Sequence, residues 1–177
     1  TTFCIQQLGW AAEHGEKCLF ISLEENEENL IDHMKGYGLN PEKYIKEETL
    51  KIKKLDSFKL SRSVEALLAH ARGELMIDIA PVLDIIPDNY KPDRVVLDSL
   101  SSIAAAFAGR PEEYRIYVEQ LFNIFGKLGV TSFIITEIQG SESSGHGGVE
   151  DFLADGVINF YNMKKGTTRQ SAVEVLK

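Results

Sequence analysis

Short apolar runs and segments of helical periodicity alternate along this 177-residue chain. The nearly unbroken apolar runs are typical of strands buried on both faces of a parallel sheet, and they lie at residues 17–23, 94–98 and 131–136. Apolar residues at helical spacing occupy residues 3–12, 27–37 and 111–128. Strands that alternate with helices predict a single α/β domain over residues 1–177, with a mostly parallel, twisted sheet and helices on both faces.

Local signals set the predicted ends of several elements. Gly15 ends the first helix, Gly36 and Gly38 end the second, and Asn40-Pro41 is expected to break the chain. Pro111 suits the first turn of a helix. The predicted apolar face of that helix consists of Ile116, Leu121, Ile124, Phe125 and Leu128.

The remaining segments have weaker or different patterns. Residues 50–55 alternate like a strand, Ser61 is expected to cap a helix, and residues 73–92 give no clear prediction. Four glycines and three serines among the ten residues 139–148 predict a mobile loop. Alternation in residues 156–163 and 171–177 predicts a C-terminal β-hairpin.

Charge and composition exclude several classes of protein. The formal net charge is −8, the opposite of the sign expected for a domain that coats nucleic acid. No apolar run approaches the roughly 20 residues that span a bilayer, and there is no signal-peptide pattern, so the expected location is the cytoplasm. Cys4 and Cys18 have no metal-site spacing and are expected to be reduced and buried.

Polar residues follow three of the predicted parallel strands. Glu24 and Glu25 follow the first, Asp98 closes the central one, and Thr136 closes the next. Ligands of open parallel sheets bind outside this carboxyl edge, and a helix that begins at Thr1 would direct free N–H groups toward an anion there. Simpler interpretations stay open for each residue, because Asp98 could be a cap or turn residue and the two glutamates could open the following helix.

The segments that carry these residues resemble the KaiC-like branch of the RecA-superfamily ATPases. The start of the chain, Thr-Thr-Phe-Cys-Ile-Gln-Gln-Leu, is similar to the helix that follows Gly-Lys in the phosphate-binding loop. Leu-Phe-Ile-Ser-Leu-Glu-Glu at 19–25 resembles the strand with the family's glutamate pair, and Arg-Val-Val-Leu-Asp-Ser at 94–99 resembles the Walker B strand. Residues 147–157 and the hairpin are also similar, so the matches follow the family order along nearly the whole chain.

The resemblance implies ATP and Mg²⁺ as ligands and gives each residue a role. Thr1 would bind Mg²⁺ through its hydroxyl, Asp98 would hold the ion through water or another of its ligands, and Thr2 would help to bind the nucleotide. Glu24 would orient and deprotonate the attacking water, with Glu25 assisting. Thr136 resembles the polar residue that senses the γ-phosphate.

The resemblance also implies a homo-oligomer. In this family the neighbouring subunit completes the site through a Lys-x-Arg pair on the last strand. Lys177 matches that lysine and would act in trans. This arrangement implies a ring, expected to be a hexamer, that acts on a protein partner which the sequence does not identify.

Two family features are missing from the sequence. No Gly-x-x-x-x-Gly-Lys-Ser/Thr motif occurs in the 177 residues, so either the leading strand and loop lie outside this excerpt or nucleotide binding has been lost. We expect an excerpt that is inactive by itself. The position of the clock proteins' phosphorylated Ser-Thr pair falls at about Asp151-Phe152, so a circadian autokinase role is not expected.

Three functions therefore compete. The first is an oligomeric ATPase whose hydrolysis drives conformational change. The second is an ATP-binding assembly or switch protein with little turnover, of the archaeal flagellar-motor type. The third, a recombinase-like DNA-dependent ATPase, is disfavoured because residues 139–148 contain no lysine, arginine or aromatic residue.

Overall fold

The computed structural model of the protein describes residues 1–55, 86–87, 89–137 and 148–177. The predicted helix capped by Ser61, most of 73–92 and almost all of the glycine- and serine-rich segment lie outside the described residues. The described helices are α1 (Thr2–Glu13), α2 (Glu27–Gly36), α3 (Pro41–Lys46), α4 (Leu100–Ala106), α5 (Pro111–Leu128) and α6 (Val149–Leu153). The strands are β1 (Cys18–Ser22), β2 (Leu50–Lys54), β3 (Arg94–Asp98), β4 (Thr131–Ile135), β5 (Ile158–Lys165) and β6 (Thr168–Val175).

The predicted α/β architecture is confirmed. Strands β1 to β4 form a parallel sheet in the order β2-β1-β3-β4. All five residues of β1 are buried, as its unbroken apolar run predicts. Alternate side chains of the strand enter two separate cores: Leu19 and Ile21 pack on the α5 side, whereas Cys18 and Phe20 pack on the side of α1 and α2. Helices therefore cover both faces of the sheet.

Two expectations about the helices are wrong. Asn40-Pro41 begins a helix instead of breaking the chain, because the Asn40 side chain accepts a hydrogen bond from Lys43 N at 3.2 Å and proline is tolerated in the first turn. The buried face of α5 is also rotated from the prediction. Ile116 and Leu128 are exposed, and the buried residues are Tyr117, Val118, Leu121 and Phe125.

The C-terminal hairpin is confirmed and is longer than predicted at its tip. Strands β5 and β6 pair antiparallel from Ile158↔Val175 to Lys165↔Thr168. The tip contains only Gly166 and Thr167, and the positive φ of 61° at Gly166 suits glycine. Within the described part of the chain, no helix has the length and apolar character needed to cross a membrane.

Candidate functional site

The carboxyl edge of the parallel sheet collects the residues singled out in the sequence. Asp98, the last residue of β3, lies in register between Ser22 of β1 and Ile135 of β4. Glu24 and Glu25 follow β1, and Thr136 directly follows β4. The backbone joins two of these strand ends, because Leu23 N donates a hydrogen bond to Asp98 O at 2.7 Å. The residues predicted to follow the strands therefore lie together at the carboxyl edge of the sheet.

Thr1 and Asp98 form the most direct contact of this edge. Thr1 precedes α1, and its Oγ1 donates a hydrogen bond to Asp98 Oδ2 at 2.7 Å. Asp98 is 7% exposed, so its carboxylate is held in a nearly buried position next to the first turn of α1. The peptide bond between Asp98 and Ser99 is cis. The two oxygen atoms of this pair point into the same space at the edge of the sheet.

Glu24 is bound by two serines that follow Asp98. Ser99 Oγ and Ser102 Oγ both donate to Glu24 Oε1, at 2.6 and 2.8 Å. The hydrogen bond from Ser99 and then that from Ser102 lower the pKa of Glu24 below the usual glutamate value, and the nearby Lys54 lowers it further. Hydrogen bonds to a carboxylate favour its charged form, so Glu24 is ionised at neutral pH.

The neighbouring Glu25 has different partners. Its backbone N donates to Ser22 Oγ at 2.9 Å, and its Oε2 lies 3.1 Å from His33 Nδ1 of α2. The glutamate pair is therefore divided: Glu24 is bound to the segment after β3, whereas Glu25 faces α2. His33, which lies in the last turn of α2, was not predicted as a partner of Glu25 from the sequence.

The first turn of α4 also reaches the end of β4. Ser101 Oγ accepts a hydrogen bond from Glu137 N at 2.7 Å. Thr136, which precedes Glu137, is half-buried at this junction. Ser99, Ser101 and Ser102 were all missed in the sequence, where the signal was a hydroxyl-rich segment directly after the buried strand that ends in Asp98.

Two of the predicted site residues form their contacts away from Asp98 and Glu24. Thr2 Oγ1 is 2.9 Å from Tyr37 Oη. Lys177 Nζ donates to Ala154 O at 2.7 Å and lies 3.4 Å from Phe152 O, at the end of α6. The structure therefore joins Thr1 to Asp98 and places Glu24 beside Ser99, while Lys177 contacts a different part of the same chain.

The oxygen donors at this edge fit magnesium. Mg²⁺ prefers hard oxygen ligands and is usually held by one or two carboxylates together with water and substrate phosphates. Asp98 supplies a carboxylate, and the Thr1 hydroxyl lies next to it at 2.7 Å. The amino end of α1 is at the same place and favours a negatively charged ligand.

A parallel sheet covered by helices on both faces, with acidic and hydroxyl side chains at its carboxyl edge, is typical of α/β domains that bind a ligand at that edge. A family model described as ATPase, KaiC matches residues 1–177. The chain belongs to this family of KaiC-like ATPase domains.

Known proteins agree with this assignment. The chain is 26% identical over 182 residues to the circadian clock oscillator protein KaiC of Synechococcus elongatus, covering 100% of this chain and 33% of the relative. It is 25% identical over 178 residues to the circadian clock protein KaiC3 of a Synechocystis species, covering 100% and 34%. The chain therefore spans about a third of the length of these curated relatives.

A solved structure matches more completely. The crystal structure of a KaiC-like protein from the hyperthermophilic archaeon Pyrococcus horikoshii superposes with a TM-score of 0.70 at 29% identity. The match covers 99% of this chain and 72% of that chain. Because the match covers nearly the whole of this chain, it supports the α/β fold described above.

Proposed function

We propose that the complete protein binds ATP with Mg²⁺ at the carboxyl edge of the sheet and hydrolyses it within a homo-oligomeric ring. The observation that carries the proposal is the 2.7 Å contact between Thr1 Oγ1 and Asp98 Oδ2. It pairs a hydroxyl at the start of a helix with a buried carboxylate, and these two groups suit a magnesium ion that also binds phosphate oxygens. When bound, Mg²⁺ would neutralise charge that develops on the phosphates.

Glu24 is the group best placed to accept a proton. In hydrolysis the oxygen of water forms a bond to the γ-phosphorus, and the bond from that phosphorus to the bridging oxygen breaks, so that ADP leaves with the electron pair. The proton lost by the water passes to the carboxylate of Glu24. The lowered pKa of Glu24 keeps this carboxylate in its ionised form, which is the form that can accept a proton. Glu25 is assigned an assisting role, and Thr136 is assigned the sensing of the γ-phosphate.

The proposal requires a loop whose amides and lysine bind the phosphates, and residues 1–177 contain no such motif. We place this loop and its strand directly before Thr1. The outer edge of β4 supports this, because it pairs with no strand among the described residues and Phe133, Ile134 and Ile135 are only half-buried. Phe3 of α1 contacts both Phe133 of β4 and Phe160 of β5, at centroid distances of 6.3 and 5.4 Å. A strand between β4 and β5 would lie against Phe3.

The assignment of a ring rests on the resemblance to the KaiC-like family. One face of β5 and β6 presents four exposed apolar side chains: Ile158, Phe160, Val173 and Val175. Phe160 of this face contacts Phe3 of the same chain, so the strand that we place between β4 and β5 would cover part of it. In the ring we assign Lys177 to the site of the neighbouring subunit, where its charge would act on the phosphates. A hexamer is the expected ring, and its protein partner is not specified.

The test uses the complete protein and follows phosphate release from ATP with and without Mg²⁺. We expect slow, Mg²⁺-dependent release, and we expect Glu24→Gln to abolish turnover while nucleotide binding is retained. Glu13→Gln makes the same change at an exposed position in the last turn of α1 and is the matched control. Unchanged hydrolysis in Glu24→Gln would overturn the role of Glu24. Tight nucleotide binding without phosphate release would instead indicate an ATP-binding switch protein.

A further inference from the structure

The Glu24 side chain is exposed, so burial in the core does not hold it in one conformation. A free glutamate side chain loses rotamer entropy when it is held in a single conformation. A carboxylate that samples several rotamers is a poor base, because proton transfer needs a defined geometry. Something other than the core must therefore hold Glu24 in place.

The first turn after β3 supplies the holding groups. Ser99 is 1% exposed, and Ser102 is half-buried in the first turn of α4. Their hydroxyls are 3.4 Å apart, and both bind Glu24 Oε1. Two donors on one carboxylate oxygen hold that oxygen in place.

The two hydrogen bonds also distinguish the two oxygens of Glu24. Across the described ranges, Oε2 of Glu24 receives no hydrogen bond, while Oε1 receives two. Oε2 is therefore the oxygen left to take the proton of the attacking water. Lys54, at the end of β2, is a charged group that acts on this carboxylate from a neighbouring element.

We propose that Ser102, together with Ser99, is a positioning residue that anchors Glu24 through Oε1 and leaves Oε2 to accept the proton. This inference rests on the proposed function and adds to it the residues that orient the base. Neither serine touches the reacting atoms. Ser102 is the better residue to test, since Ser99 adjoins Asp98 and its replacement would also disturb the magnesium site.

The experiment compares three variants of the complete protein. Ser102→Ala removes one of the two hydroxyls, Ser102→Thr keeps it, and Ser101→Ala removes a hydroxyl on the same turn that binds Glu137 N instead. We expect Ser102→Ala to lower kcat about tenfold below Ser101→Ala with little change in KM, since a misplacement of about 1 Å can cost on the order of 10²-fold. Ser102→Thr should recover most of kcat.

A second measurement does not depend on turnover. An NMR titration of the Glu24 carboxyl should give a higher pKa in Ser102→Ala than in the wild-type protein, and a wild-type value in Ser102→Thr. An unchanged Glu24 pKa, or a kcat for Ser102→Ala equal to that of Ser101→Ala, overturns the inference while the role of Glu24 stands. Absence of phosphate release from the wild-type protein overturns the proposed function and this inference with it.

Discussion

Thr1 and Asp98 are 97 positions apart in the sequence, yet the Thr1 hydroxyl donates a 2.7 Å hydrogen bond to the Asp98 carboxylate. The contact joins the start of α1 to the end of β3, the central strand that lies between β1 and β4. It therefore brings the positive end of a helix to the acidic edge of the sheet. The proposed magnesium and nucleotide site depends on this contact between Thr1 and Asp98.

Replacing Asp98 with asparagine should separate magnesium binding from folding. Asparagine has nearly the same shape and keeps an oxygen that can accept the hydrogen bond from Thr1, but it removes the charge. We expect the Mg²⁺-dependent affinity for ATP to fall at least about tenfold, in keeping with loss of a charged metal ligand. Titration calorimetry of the complete protein with and without Mg²⁺ measures this.

The control for that change is Asp32→Asn, an exposed aspartate of α2. It should leave the affinity unchanged. Equal Mg²⁺-dependent affinities for the Asp98 variant and the wild-type protein would show that Asp98 does not hold the ion.

Two leucines of α5 test the observed orientation of this helix. Leu121 is 1% exposed, whereas Leu128 is 49% exposed. Leu121→Ala should lower the free energy of unfolding by about 2–5 kcal/mol, because it leaves a cavity in a close-packed core. Leu128→Ala should lower it by less than about 1 kcal/mol. Urea denaturation measures both, and similar losses would contradict the observed rotation of the helix.

The two cores beside the sheet were easier to predict from the sequence than the buried face of α5. Nearly continuous apolar runs at 17–23 and 94–98 predicted strands buried on both faces, because such runs have no polar side to expose. The face of α5 was harder to predict. Tyr117 contributes a large apolar ring despite its hydroxyl, and a shift of one residue on a helix turns the face by about 100°.

Some of the site residues could be located from the sequence, whereas the contacts between them could not. Glu24, Asp98 and Thr136 could be located because each follows an apolar strand, and parallel strands bring their carboxyl ends together. The contacts of Ser99 and Ser102 with Glu24 could not be predicted. They depend on how α4 leaves β3, and seven residues of serine, alanine, leucine and isoleucine carry too little pattern to define that helix. The trans role of Lys177 depends on a second chain and stays a prediction.

Both cysteine thiols should be unreactive in the folded protein. Burial raises the pKa of Cys4 to about 11 and that of Cys18 to about 12, and both are free. The thiolate is the reactive form. With a pKa of about 11, only about one Cys4 side chain in a thousand is a thiolate at pH 8. Labelling by iodoacetamide, followed by mass spectrometry, should be slow in the native protein and fast in denaturant.

Thr167→Cys, at the exposed tip of the C-terminal hairpin, provides the positive control. Its thiol should be labelled far faster than the two native ones. Native cysteines that react as fast as the introduced one would contradict the burial of both residues.

The most direct test of the central claim is a crystal structure of the complete Glu24→Gln protein with ATP and Mg²⁺, since this variant is expected to bind without turnover. The account predicts the ion beside the Thr1 hydroxyl and the Asp98 carboxylate, with the γ-phosphate facing position 24. A nucleotide bound away from this edge, or an ion without contact to either residue or their bound waters, would contradict it.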